Sequence, residues 1–283
     1  MIASRNSIII GCLGLLLLGI SCTTLKLEVP SQFSEQSTRM KVKGLNGWPI
    51  NEHVRFGNYK TSRIKRGWHS MSSYRSGDFG RRRAENTMLD IFGVSPEESE
   101  SNEKDKFNFY IDHDDMNVRV FGWERKSTSS FGIRTTSGKG LLDLIGHTEE
   151  SEYDFAATII PSTPQFSEPW KMNVYKRYDR DTDTTRRFHF PWIEEKGYAT
   201  DGKDSIYVRA FYVKNVERPN GKPGFMPVKV RSGYEFTWDG GVVCIIDVFG
   251  KAVWLYNDLQ PSEKLLLAAL STAIMIRRVE DMN

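Results

Sequence analysis

The sequence predicts a mainly β protein, an antiparallel sandwich or open barrel, with a C-terminal meander covered by one apolar helix. An α+β arrangement is the alternative. Aromatic residues make up 12% of the chain and include seven tryptophans, which favours strands and a solid core. Several segments alternate apolar and polar residues with period two, most clearly Ile206 to Tyr212. The C-terminal third carries three apolar segments separated by turns and then a long apolar run.

The N-terminus starts with an uncharged apolar run, Ile8 to Ile20, which follows Arg5. Ser21 and Cys22 close this run, and polar residues come next. A positive region, an apolar region and a small residue before a cleavage point are typical of a signal peptide. A membrane-spanning helix needs about 20 apolar residues, and this run is shorter.

The segment from Leu18 to Cys22 reads Leu-Gly-Ile-Ser-Cys and resembles the lipobox of bacterial lipoproteins, although Gly19 stands where that family usually has Leu. The resemblance implies a signal peptide over residues 1–21, cleaved after Ser21. It also implies a diacylglycerol on the sulfur of Cys22 and an acyl chain such as palmitate on its new amino group. The protein would then be held in the cell envelope, at the outer membrane. A plain secreted protein and a signal anchor remain the alternatives.

Charge and cysteine content limit the partners of the exported body. We expect residues 22–44 to be the lipidated cysteine and a tether, and residues 45–283 to be one β-rich envelope domain, with a split near 161–169 as the alternative. A formal net charge of +3 gives no global field that would attract nucleic acid, and export argues against that partner too. Cys12 leaves with the signal and Cys22 takes lipid, so Cys244 remains alone. Its apolar neighbours predict an inert core thiol.

The segment from Lys60 to Arg83 is the most basic in the chain, and Asp78 is its only acid. One interpretation is a patch for anionic lipid or polysaccharide near the anchor. The other is a solvated face, or pairing with the acidic tract between Pro96 and Asp105. That tract is predicted to be an exposed loop.

The strand and helix predictions become clearest toward the C-terminus. Val118 and Val120 alternate with Arg119 and predict a strand. A three-strand meander is predicted over Tyr234 to Trp238, Val242 to Ile246 and Ala252 to Tyr256. Leu265 to Ile276 is apolar almost all round, and Pro261 suits the first turn of a helix. Twelve helical residues span only about 18 Å, so we expect a buried helix that covers the meander as a lid.

Two acidic clusters are candidates for chemistry. Asp112, His113, Asp114 and Asp115 follow a predicted strand, and carboxylates beside an imidazole can serve as acid and base or bind a metal. A charged turn is the alternative.

The second cluster is Asp179, Asp181 and Asp183, which has the alternating carboxylates of calcium loops. Thr184 stands where such a loop requires glycine, and a polar hairpin turn is the alternative. The sequence predicts no metal and no cofactor.

These observations predict a non-enzymatic lipoprotein that binds or scaffolds at an envelope surface. Its partners would be the membrane, through lipid on Cys22, and an envelope protein or a polysaccharide. The alternative is an envelope hydrolase acting on glycan or lipid through Asp112, Asp114 or Asp115 with His113. A concave pocket in which these side chains converge would favour the hydrolase, whereas an exposed aromatic groove would favour binding.

Overall fold

Fourteen antiparallel strands form one sheet with two helices, in a computed structural model that describes residues 29–45, 52–77, 94–135, 146–162, 168–179, 194–217 and 223–278. The helices are α1 (Ser31–Glu35) and α2 (Pro261–Met275). The strands are β1 (Ser37–Lys41), β2 (Arg55–Phe56), β3 (Tyr59–Thr61), β4 (Lys65–Arg66), β5 (Ser70–Gly77), β6 (Val94–His113), β7 (Met116–Thr135), β8 (Gly146–Pro161), β9 (Trp170–Asp179), β10 (Lys196–Thr200), β11 (Ser205–Glu217), β12 (Pro223–Trp238), β13 (Gly241–Asp247) and β14 (Ala252–Tyr256).

The sheet is a meander from β6 to β14, in which each strand pairs with the next one in the chain. At one edge β1 pairs with β14, and at the other β3 and then β2 continue from β6. Lys43 and Arg55 join these edges through two backbone hydrogen bonds of 2.8 and 3.0 Å. We call this junction the seam. It leaves the sheet nearly closed and barrel-like.

Gly57 allows the two edges to lie close together at the seam. Its φ of +54° lies in the left-handed region, where residues with a Cβ are strained. A Cβ at this position would also lie 2.4 Å from the Sδ atom of Met40 on β1. A glycine is therefore required by both the backbone conformation and the available space.

Strand residues alternate between a buried inner face and an outer face that meets solvent. On β8, for example, Tyr153, Phe155, Ala157 and Ile159 are buried, and the residues between them are not. The inner faces and α2 together form one hydrophobic core.

Helix α2 is enclosed by the sheet. Every residue from Leu265 to Ile274 is buried, and the helix contacts β6, β7, β8 and β14. At its start, the Gln260 side chain accepts a hydrogen bond from the backbone of Glu263, whose own carboxylate accepts the N–H of Gln260 at 2.7 Å. Burying a leucine side chain is worth about 1.5–3 kcal/mol, so this helix supplies a large share of the core energy.

The structure confirms the predicted fold class, a mainly antiparallel β protein with a barrel-like sheet and one C-terminal helix. The predicted meander corresponds to β12, β13 and β14. The predicted helix packs on the meander, through β14 and through a 3.4 Å contact between Cys244 on β13 and Ser271, and it also contacts β6, β7 and β8, so it lies inside the curved sheet. The sheet closes because β1 also pairs with β14, Ser37 with Tyr256 for example, and local sequence patterns do not report a pairing between such distant residues.

One predicted boundary is also corrected. The acidic tract from Pro96 to Asp105 is part of β6, paired with β5 and β7, and is not a loop. Glu103 and Asp105 face inward and are buried, and the Arg66 guanidinium lies 2.9 Å from the Asp105 carboxylate. Within residues 22–44, the alternation of Met40 and Val42 with charged residues predicts a strand from Thr38, and Ser37–Lys41 forms β1.

Strands β8 and β9 flank the alternative domain split near 161–169. They pair continuously from Glu150↔Asp179 to Ile159↔Trp170, so one sheet crosses that position. Neither of the two described helices has the length and the apolar character needed to cross a membrane. The predicted signal peptide and Cys22 lie outside the described residues.

Candidate functional site

The Asp112–Asp115 cluster forms the turn between β6 and β7. Asp112 is exposed on the outer face and pairs by register with Lys60 and Asn117. His113 is the last residue of β6, and its side chain points toward the opposite face. Asp114 has a φ of +51°, a left-handed conformation that Asp tolerates in tight turns. The charged turn, one of the two interpretations of this cluster, is therefore present.

His113 lies against the phenol ring of Tyr59, with 4.5 Å between ring centroids. Its Nε2 atom is 3.7 Å from Oδ2 of Asp114, longer than a hydrogen bond. Its Nδ1 atom is buried and has no hydrogen-bond partner among the described residues. Burial, and secondly the charge of Asp114, raise the pKa of Tyr59 to about 12, so this phenol stays protonated.

Two cavities lie beside this turn, at the N-terminal end of α2. One of about 290 Å³ opens at the seam, and we call it the seam cleft. Its lining residues are Thr38, Met40, Gly57, Asn58, Tyr59, His113, Leu255, Asn257 and Lys264. The other, of about 420 Å³, is lined by Asp114, Asp115, Met116, Gln260, Pro261 and Ser262.

The cavities divide the predicted acid–base group. His113 lines one, Asp114 and Asp115 line the other, and Asp112 lines neither. General acid–base catalysis needs groups within about 2.6–3.2 Å of the proton that they transfer. Because His113 and the carboxylates of Asp114 and Asp115 line different cavities, they would not act together on one substrate atom.

The calcium candidates fall mostly outside the described residues. Asp179 is the last residue of β9, whereas Asp181 and Asp183 are not described. Among the described residues, no three His, Cys, Asp or Glu side chains are grouped so that they could hold a metal ion. Cys244 is buried on β13, where burial raises its thiol pKa to about 12, as expected of an inert core thiol.

A network of buried charges surrounds the C-terminal end of α2. Arg277 donates to Glu195 at 2.5 Å and also contacts the hydroxyl of Tyr234. Glu195, which is fully buried, also accepts hydrogen bonds of 2.9 Å from Arg231 and Tyr234. This half of the network closes the helix end from the side of β10 and β12.

The second half of the network comes from β4, β6 and β7. Arg66 donates to Glu52, to Asp105 and, at 2.7 Å, to the carbonyl of Ile276. Glu124 accepts the hydroxyl of Tyr153 at 3.0 Å and the backbone N–H of Arg278 at 2.8 Å. Because a cation lies at the negative end of the helix and the buried charges are paired, removing one member of the network would leave an uncompensated buried charge.

Arg66 also bears on the two interpretations of the basic segment. Its pairs with Asp105 and Glu52 support pairing with the acidic tract for this residue. Other basic residues of the segment, including Lys60, Arg63 and Lys65, are exposed.

The outer side of the sheet carries the largest set of exposed aromatic side chains among the described residues. Trp123 is 45% exposed and Tyr207 is 66% exposed. Basic side chains lie among the rings. We call this surface the aromatic–basic face; it comprises Lys106 and Tyr110 on β6, Arg119, Phe121, Trp123 and Arg125 on β7, Ile160 on β8, Lys171 and Tyr175 on β9, Tyr198 on β10 and Tyr207 on β11.

The strand register arranges this face into a trough. Trp123, Ala156, Asn173, Tyr198 and Tyr207 are successive register partners from β7 to β11. Along this row the short side chains of Ala156 and Asn173 separate Trp123 on β7 from Tyr198 and Tyr207, while Lys171 and Tyr175 on β9 lie on either side of the row. The sequence analysis identified β7 as a strand but missed this surface. The sequence does contain Arg119, Phe121, Trp123 and Arg125 at period two. It does not show which strands lie next to this one in the sheet.

The geometry of the face leaves several polar groups without partners. The guanidinium of Arg119 stacks 4.3 Å from the ring centroid of Phe121 and 5.3 Å from that of Tyr110. The Nε atom of Arg119 and the Oδ1 atom of Asn173 are buried and have no hydrogen-bond partner within the described residues.

Comparison with known proteins gives no match, since no family model, no curated relative and no solved structure is similar to the chain.

Proposed function

We propose that the protein is a lipid-anchored binding protein of the bacterial cell envelope, whose sheet presents its outer face to a partner. The anchor is the lipid on Cys22, after removal of residues 1–21, and the outer membrane is the membrane that holds it. The observation that carries the binding role is the position of α2. Because this helix fills the curved sheet, recognition uses the surface and the clefts at its rim.

The distance between anchor and body supports contact with the envelope. Eight residues, Thr23 to Pro30, separate Cys22 from α1. Fully extended, they span at most about 28 Å. A body tethered so closely works at the membrane surface or on material that lies within this distance of it.

A hydrolase acting on glycan or lipid is the second candidate, and the two cavities beside His113 are the observation that favours it. The separation of His113 from Asp115 into different cavities supports binding over hydrolysis. The seam cleft is lined by the cationic side chain of Lys264 and by the apolar side chains of Met40 and Leu255. This combination suits a small amphipathic ligand.

The anchor is tested by Cys22→Ser in the native host, with Cys12→Ser as the matched control. Mass spectrometry of the membrane fraction should show a mature N-terminus at Cys22 that carries acyl chains, in the wild type and in Cys12→Ser. Cys22→Ser should leave that fraction or accumulate as the uncleaved precursor. Equal partitioning of Cys22→Ser and the wild type, or an N-terminus without lipid, contradicts the proposal.

A further inference from the structure

We propose that the trough of the aromatic–basic face binds an anionic polysaccharide, with uronate-type carboxylates as the charged groups. This inference rests on the proposed function, because it takes the envelope as the place where the protein works. It adds the ligand class and the site.

The shape of the trough fits a linear chain of sugar rings. The walls are Phe121 and Trp123 on one side and Tyr198 and Tyr207 on the other, and Ala156, Thr158 and Asn173 form the floor. Three strand spacings separate β7 from β10, about 14 Å at 4.8 Å per strand. The apolar face of a sugar ring packs on aromatic side chains, and tyrosine adds a hydroxyl that can bond to the sugar.

The charges around the trough favour an anionic ligand. Lys106, Arg119, Arg125 and Lys171 form no ion pair with any described residue. On the two floor strands Arg177 pairs with Glu152, and Asp154 is the register partner of Arg125, so the excess of cations lies at Lys106, Arg119 and Lys171. Unpaired cations with a fixed arrangement attract a polyanion, and arginine can hold a carboxylate through two parallel hydrogen bonds.

A polysaccharide fits this face better than a membrane surface does. The face follows a curved sheet, so a flat bilayer would touch only part of it, whereas a flexible chain can follow the row of rings. Four of its six aromatic residues are tyrosines, and Ile160 is its one large aliphatic side chain. A lipid-inserting surface would instead present protruding apolar side chains.

The test uses the full-length lipidated protein in nonionic detergent, with polygalacturonate as the anionic probe and dextran as the neutral probe. Calorimetry should show binding to polygalacturonate and none to dextran. Raising the salt concentration from 0.05 to 0.5 M, for example, should weaken this binding, because salt screens exposed charges and the Debye length at 0.1 M is about 10 Å. Equal binding to both probes, or none to polygalacturonate, overturns the inference.

Two double variants locate the site. Arg119→Gln with Lys171→Gln should weaken binding about thirtyfold, since each of the two cations near an anionic surface contributes about 1 kcal/mol and about 1.4 kcal/mol corresponds to tenfold. Trp123→Ala with Tyr198→Ala should also weaken it about tenfold, through loss of two stacking rings. The matched control, Lys41→Gln with Arg55→Gln, removes two exposed charges from β1 and β2, across the sheet from the trough. It should bind as the wild type does. Thermal unfolding verifies that each variant is folded.

The remaining outcomes separate the inference from the proposed function. If the trough variants bind polygalacturonate as tightly as the control, the site is elsewhere and the inference is wrong. Vesicles of phosphatidylglycerol and an oligothymidylate serve as competing probes, and tighter binding to either one replaces the polysaccharide. In all these cases the fractionation of Cys22→Ser still decides the anchor by itself, so the proposed function stands or fails separately.

Discussion

At its C-terminal end helix α2 meets buried charges that are paired with one another. At its N-terminal end it meets two cavities and a nitrogen of His113 that has no hydrogen-bond partner among the described residues. The first end is held by Glu195 and Arg277, which are both buried. The second is lined by exposed turn residues such as Asp114. The fold is therefore held firmly at the C-terminal end of α2, and it has space for a ligand at the N-terminal end.

The largest effect should come from breaking the buried network. Arg277→Gln leaves the Glu195 carboxylate buried with one charged partner fewer, which costs about 3–5 kcal/mol of unfolding free energy. The same substitution at exposed Arg177, which pairs with Glu152, should cost less than about 1 kcal/mol. Urea unfolding of the two variants measures both. Similar losses would mean that the C-terminal end of α2 is not the more firmly held one.

An intermediate effect should appear as a pH dependence. Burial raises the pKa of Glu124 above its ordinary value of 4.5. The folded state then binds this proton more tightly than the unfolded chain does, so the contribution to stability is complete below pH 4.5 and is lost as the pH rises through the folded-state pKa. The loss is at most about 1.4 kcal/mol per pH unit for one proton.

Glu124→Gln should remove this dependence while keeping a side chain of the same size. Asp247, whose pKa is also raised by burial, adds a slope of the same sign, so the difference between wild type and variant is the quantity to follow. Unfolding free energies measured between pH 4 and 8 supply it. A difference that does not change with pH would show that Glu124 does not titrate as its burial requires.

The smallest effect is expected at the N-terminal end. Asp114→Asn removes the charge beside His113, while asparagine still tolerates the φ of +51°. Because the side chain is exposed and has no close hydrogen-bond partner, unfolding free energy should change by less than about 0.5 kcal/mol. A loss comparable to that of Arg277→Gln would erase the contrast between the two ends.

The sequence predicted those parts of the fold in which neighbouring residues determine the structure. Strands β12 to β14 and the burial of α2 follow from apolar runs and turn residues that lie next to each other in the chain. The prediction of a loop over the acidic tract was wrong because Asp105 is buried in an ion pair with Arg66, which lies 39 residues away in the chain. The closure of the sheet by β1 and β14 also depends on strand pairing between distant parts of the chain. The same holds for the neighbours of Trp123.

The candidate site was predictable to a similar extent. The turn at Asp114 was visible as a charged cluster, but its division between two cavities depends on α2 and β1, which approach it from distant parts of the chain. The sequence shows the residues of the aromatic–basic face that lie on β7. The strand register is needed to know which residues of the other strands lie beside them.

The order of the elements along the chain also sets an order for folding. The strands cannot cover their inner faces until α2, which follows all of them, has been synthesised, and β1 cannot complete the sheet until β14 exists. In a nascent chain that lacks its last forty residues, the apolar inner faces of the strands are therefore uncovered and the edge at β1 has no partner strand. Such a chain cannot complete its core or its sheet before synthesis ends.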